Sequence, residues 1–180
     1  WQRMWAARKE LSKAQIFVDD SPSNTVPTMI SKCRRLKATK GLDLVVVDHL
    51  QLIYPDNRTS ENRQQEVTEI SRGLKVMAKE LGVPVICCAQ LSRGTEAKGK
   101  SHKPALSDLR DSGSIEQDAD IVLFLYRETY YDNEKTDDED RGDPNKAECI
   151  VAKNRHGEIG TVDLYWDGQF TRFTSVEVFR

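Results

Sequence analysis

From Ser60 onward the apolar positions Val67, Ile70, Leu74, Met77 and Leu81 recur three and four residues apart, the spacing that lines one face of an α-helix. Ser60 is placed to cap the start and Gly82 to close the end. The flanking runs have a different character. LDLVVVDHLQLI before the helix is almost unbroken in apolar residues, and VPVICCAQ after it repeats the pattern, so both predict strands of a parallel sheet buried on two faces. Further upstream, QIFVDD predicts a short strand, and SPSNTVPTMISKCRRLKATKG predicts a helix with Val26, Ile30, Cys33 and Leu36 on one side. The order strand, helix, strand, helix, strand is that of right-handed βαβ units, and the expected class is α/β with a mostly parallel sheet.

Downstream the pattern loosens. LSRGTEAKGKSHKPAL has no periodic apolar face and predicts a mobile basic loop, with Arg93, Lys98, Lys100 and Lys103 as its cations. ADIVLFLY predicts a fourth strand, and DNEKTDDEDRGDP a solvated acidic loop. AECIVAKN and TVDLYWD alternate apolar and polar residues around RHGEIG, which predicts a C-terminal antiparallel β-hairpin.

Composition adds bounds rather than a function. The chain has 180 residues, of which 38% are hydrophobic, and a formal charge of −2. That is enough for one domain with a core, and any contact with a polyanion must come from a local basic patch. No run reaches the roughly 18 apolar residues of a membrane span, and the first residues lack the apolar middle of a signal peptide, so the expected location is cytoplasmic. Cys33, Cys87, Cys88 and Cys149 have no CxxC spacing and read as thiols in apolar surroundings. Asn57 in NRT is then an accidental sequon, and His49, His102 and His156 read as packing or surface residues.

Open parallel sheets bind ligands beyond the carboxyl ends of their strands. Asp19, Asp20, Asp48 and Gln90 occupy such ends here. Asp48 closes LVVVD, a Walker B pattern in which a carboxylate holds a water in the shell of Mg²⁺. Apolar residues followed by Asp also end many parallel strands that bind nothing. Gln90 at the neighbouring strand end can meet a γ-phosphate or position a water, or it can be structural. Lys153 and Arg155 are two apart and project to one side of an extended segment. They suit an arginine-finger role toward the nucleotide of an adjacent subunit, or they are solvated charges.

IFVDD, DLVVVDHLQLI, VPVICCAQLSRG, LSDLRDSGSIEQDADIVLFLYR and VAKNRHGEIGTV, in this order, strongly resemble the C-terminal motor domain of the bacterial DnaB-type replicative DNA helicase. The resemblance spans nearly the whole chain, and SDLRDSGSIEQDAD is its most specific part. It implies a RecA-like fold, ATP and Mg²⁺ as cofactors, and a homohexamer that moves 5′ to 3′ on single-stranded DNA, with primase and a helicase loader as partners. It also implies roles. Asp48 would be the acid and metal-site residue, Gln90 the γ-phosphate sensor, and Lys153 and Arg155 the KxR cations offered in trans. Arg110, Asp111 and Gly113 would hold DNA phosphates in the central channel. Arg93, Lys98, Lys100 and Lys103 of the preceding basic loop either face the same channel or form a solvated surface, which their spacing does not separate.

One departure is large. No GxxxxGK[ST] phosphate loop occurs in the sequence. The resemblance implies that this loop, the glutamate that activates water and an N-terminal domain all precede Trp1. These residues would then be a partial domain that binds ATP poorly and does not turn it over alone. Two other readings remain at this stage: a RecA-like recombinase that forms filaments, and an interaction module that never meets nucleotide.

Overall fold

A computed structural model of the chain describes residues 1–56, 62–91, 103–130 and 143–176, without the side chains of residues 110–112 and 130. Helix α1 (Gln2–Leu11) opens the chain and buries none of its residues. It has no counterpart in the sequence reading, because Trp1 gives no side-chain cap and the segment has no clear apolar stripe. Helix α2 (Val26–Lys40) starts at Thr25, whose side chain accepts from the Thr28 amide.

Strand β1 (Val45–Val47) pairs in parallel with β2 (Val85–Cys87), and α3 (Arg63–Leu81) connects them. The cap of α3 is Asn62, which accepts from the Gln64 N–H at 2.9 Å; Ser60 lies outside the described residues. At its other end Gly82 adopts φ 61°, a left-handed conformation that costs glycine little and other residues more. The face foreseen from periodicity is the one that is buried: Val67, Ile70, Leu74, Met77 and Leu81 pack with Val26, Val47, Leu50 and Ile53. Lys37 of α2 donates to the carbonyl of Leu81, satisfying an acceptor at the C-terminus of α3.

Three expectations need correction. QIFVDD is not a strand: residues 15–20 have no regular structure, and Ile16, Phe17 and Val18 are exposed. β-Propensity makes a strand only where a neighbour supplies the ladder. The parallel sheet is not covered on both faces among the described residues. Val45, Val47, Val85 and Cys87 meet α2 and α3, whereas Val46 and Ile86 are 59% and 54% exposed. Finally, ADIVLFLY does not extend the parallel sheet. It forms β3 (Ile121–Tyr126), the edge of a separate antiparallel sheet in the order β3-β4-β5-β6.

The expected hairpin is present as β4 (Lys146–Asn154) and β5 (Gly160–Asp167), to which β6 (Arg172–Ser175) adds a third antiparallel strand. Between the two sheets runs a 3-10 stretch, Leu106–Ser112, followed by the short helix α4 (Gly113–Asp118). Leu109, Val122 and Phe124 form a second core, and Ile115 of α4 packs against both cores. This largely helical segment joins the parallel and antiparallel halves.

Candidate functional site

Asp48 follows β1 and turns its carboxylate outward, with a side chain 82% exposed. Among the described residues the imidazole of His49 lies beside it, with Nδ1 at 3.8 Å. It lines an open cleft of about 1190 Å³ with Asp19, Asp20, Lys32, Gln51 and Arg63. Within the cleft Asp19 accepts from Ser21 Oγ at 2.6 Å and from Lys32 Nζ at 2.7 Å. Those two bonds, Lys32 first, lower its pKa to about 2. Asp19 is therefore already engaged by the protein, whereas the side chain of Asp48 is open to solvent.

No cluster of three or more His, Cys, Asp or Glu side chains could hold a metal among the described residues. A lone exposed carboxylate still fits Mg²⁺, which keeps several waters and takes one or two carboxylates together with substrate phosphates.

Gln90 sits three residues beyond the end of β2, and its backbone is held by a residue that sequence reasoning missed. Gln51 Nε2 donates to the Gln90 carbonyl at 3.2 Å, and the Gln90 N–H donates to Gln51 Oε1 at 3.3 Å. The chain exits of the two strands are further laced by Cys88 N–H to Val47 O and by Leu50 N–H to Cys88 O, both 2.9 Å. Asp48 and Gln90 thus lie on two adjoining strand exits tied together by backbone bonds. The available signal was Gln51 itself, a polar residue inside the apolar run HLQLI.

Lys153 and Arg155 both turn toward the end of α4. Lys153 Nζ donates to the Glu116 carbonyl, and Arg155 donates from one Nη to the Gln117 carbonyl at 2.5 Å. Cations are favoured at the carbonyl end of a helix. The ion pair of Arg155 is with Asp120, Nε to Oδ1 at 3.6 Å, and neither cation pairs with Asp48. Asp120 is also bound by Lys75 of α3. Its carboxyl is held below the usual range, first by the Lys75 hydrogen bond and then by the charges of Lys75, Arg155 and His156.

Arg110 and Asp111 fall in the 3-10 stretch just before α4, with side chains outside the described set, and Arg93 lies outside the described residues altogether. Gly113 has φ −51° and ψ −20°, and a Cβ there would meet nothing within 4 Å. Neither backbone strain nor lack of space requires glycine at this position. Lys103 is engaged elsewhere, binding Glu148 at 2.6 Å over the ring of Tyr126.

Set beside known proteins, the described fold and the order of these residues match one group. The replicative DNA helicase DnaB of Geobacillus stearothermophilus is 49% identical over 177 residues, which are 98% of this chain and 37% of that protein. The replicative DNA helicase DnaC of Bacillus subtilis is 48% identical over 98% of this chain and 37% of its own length. The chain therefore spans little more than a third of these relatives. A solved structure of a DnaB-like replicative helicase, described with its interactions with primase, superposes with a TM-score of 0.86 at 40% identity, over 98% of this chain and 41% of that one. The family model of the DnaB-like helicase C-terminal domain matches residues 1–175, and the chain belongs to that family.

Proposed function

We propose that these 180 residues are the C-terminal part of the RecA-like ATPase domain of a replicative DNA helicase. Its phosphate loop and N-terminal domain would lie in sequence preceding Trp1. The whole protein would hydrolyse ATP to move 5′ to 3′ on single-stranded DNA and unwind duplex at the replication fork. The observation that carries the reading is the separation of charges within one protomer: Asp48 opens onto the cleft unpaired by either cation, while Lys153 and Arg155 are anchored at the end of α4. A complete nucleotide site on this pattern needs two subunits, in keeping with a ring.

In this mechanism Asp48 would hold Mg²⁺, and Gln90 would meet the γ-phosphate side of the nucleotide from a backbone bonded on both sides to Gln51. The chemistry such an ion would supply is neutralisation of the charge on the nucleotide phosphates. Lys153 and Arg155 approach from the neighbouring protomer of a homohexamer and oppose charge developing on the transferred phosphoryl group. Arg110, Asp111, Gly113 and Arg93 face single-stranded DNA, where cations neutralise phosphates and backbone amides donate to them. Primase and a helicase loader are the expected partners, and the compartment is the cytoplasm.

The test is DNA-stimulated ATP hydrolysis by the longest natural form of the protein. Arg155→Ala should slow it by about 10³–10⁵-fold, the range of arginine fingers, and Gln90→Ala should also impair it. Unchanged rates in both variants would support an interaction module instead. Electron microscopy with nucleotide and DNA separates closed rings from the filaments of a recombinase.

A further inference from the structure

Arg155 is held at three points. Its N–H donates to the Asp120 carbonyl at 2.9 Å, one Nη donates to Gln117 O at 2.5 Å, and Nε faces Asp120 Oδ1 at 3.6 Å. The segment that holds it is itself clamped. Lys75 binds the Asp120 carboxylate, and Ser71, one turn earlier on α3, donates to Asp118 Oδ2 at 2.9 Å. Residues four apart share a helix face, so α3 grips both ends of the Asp118–Asp120 link between α4 and β3.

We propose that Asp120, backed by Lys75, is a positioning residue for Arg155, fixing the direction in which the guanidinium meets an anion on an adjacent protomer. The inference rests on the reading of Arg155 as a cation acting in trans, and it adds the group that aims it. A long flexible side chain meets a phosphate productively only if its direction is set beforehand. A carboxylate beside Nε sets that direction while leaving other donors of the five-donor fork for an oxyanion. Because Lys75 supplies a second cation to the same carboxylate, the trio keeps a net charge of +1, and Asp120 does not cancel the attraction for phosphate. Asp120 stays ionised at neutral pH, its carboxyl being held down first by the Lys75 bond.

The arrangement also connects the two halves of the proposed site. At its N-terminal end α3 places Arg63 on the Gln51 carbonyl at 3.0 Å, and Gln51 brackets Gln90. Twelve residues on, a distance of about 18 Å along the axis, Lys75 holds Asp120. One helix thus braces both the strand exit that carries the amide and the link that carries the cation.

The experiment uses the full-length protein, with Asp120→Ala and Lys75→Met made singly and on an Arg155→Ala background. Hydrolysis is measured across ATP concentrations on saturating single-stranded DNA. Asp120→Ala should lower kcat by about 10²-fold, the penalty of a small misplacement, with KM for ATP and DNA affinity changed by less than about twofold. Lys75→Met, which leaves the carboxylate in place, should act in the same direction and more weakly. On the Arg155→Ala background neither substitution should cost anything further, as for residues acting through one another. Full activity of Asp120→Ala beside an inactive Arg155→Ala overturns the positioning role alone. So does an equal loss on both backgrounds, which would mark a structural contribution. Undiminished activity of Arg155→Ala overturns the underlying reading instead. If Asp120→Ala does not fold, Lys75→Met decides by the same criteria.

Discussion

Gln51 and Gln90 are bonded in both directions, side-chain amide to backbone, at 3.2 and 3.3 Å. A glutamine used in this way stands in for a missing strand neighbour: it satisfies the N–H and the C=O of a residue that has left the ladder. Gln51→Ala removes both bonds and should lower the stability of the chain by about 1–3 kcal/mol, at roughly 0.5–1.5 kcal/mol per bond. Urea unfolding measures this, and an unchanged midpoint would show that the pair contributes nothing.

The isolated polypeptide, residues 1–180, should show no ATPase activity above background with or without single-stranded DNA, because no GxxxxGK[ST] loop is present to hold the β- and γ-phosphates. A rate that is measurable and disappears in Asp48→Ala would contradict the proposal that the phosphate grip lies elsewhere.

Met77 is fully buried on the inner face of α3, at 0% exposure. Met77→Ala should destabilise the chain by about 2–5 kcal/mol through lost burial and the cavity left behind. Thr68→Ala, on the exposed side of the same helix, should change stability by less than about 0.5 kcal/mol. Denaturation midpoints compare the two.

Asp19 has its folded pKa depressed to about 2 from the ordinary 3.8, chiefly by Lys32 and Ser21. The unfolded chain therefore binds a proton at this site more readily than the folded one. Its contribution is fully present above about pH 4 and is lost as pH falls toward 2. Lys32→Met should move the Asp19 titration, followed by carboxyl NMR, back up toward the ordinary value and reduce the loss of stability over that window. A titration that stays near 2 in the variant would assign the depression to Ser21 instead.

Gly113→Ala should be tolerated by the fold, since φ is −51° and a Cβ meets nothing within 4 Å. Alanine at a helical position should even raise stability slightly, by up to about 1 kcal/mol. If the backbone at Gly113 approaches a DNA phosphate, the same variant of the full-length protein should bind single-stranded DNA several-fold more weakly. Unaltered DNA affinity would remove Gly113 from the proposed contact set.

Local pattern was enough to define much of this protein. The burial of Val67, Ile70, Leu74, Met77 and Leu81 follows from a period that only a helix satisfies, and the hairpin strands β4 and β5 follow from alternation around a glycine-containing turn. The βαβ unit of β1, α3 and β2 was legible for the same reason. The family was legible because SDLRDSGSIEQDAD and its neighbours occur in a fixed order. Where the partner of a segment lay far along the chain, pattern failed. IFV had strand propensity but no neighbouring ladder, and ADIVLFLY paired antiparallel with β4 instead of extending the parallel pair.

The candidate chemistry divides in the same way. Asp48, Gln90, Lys153 and Arg155 could be nominated from the sequence because each follows or ends an apolar run, where a side chain is rigidly carried. What the tertiary structure alone decided is how each is held: Gln90 by Gln51, Arg155 by Asp120, and Asp120 by Lys75 across 45 positions of sequence. Periodicity records which face of an element is buried. It carries no information about which distant polar groups meet once those faces have packed, because that depends on the relative placement of whole elements.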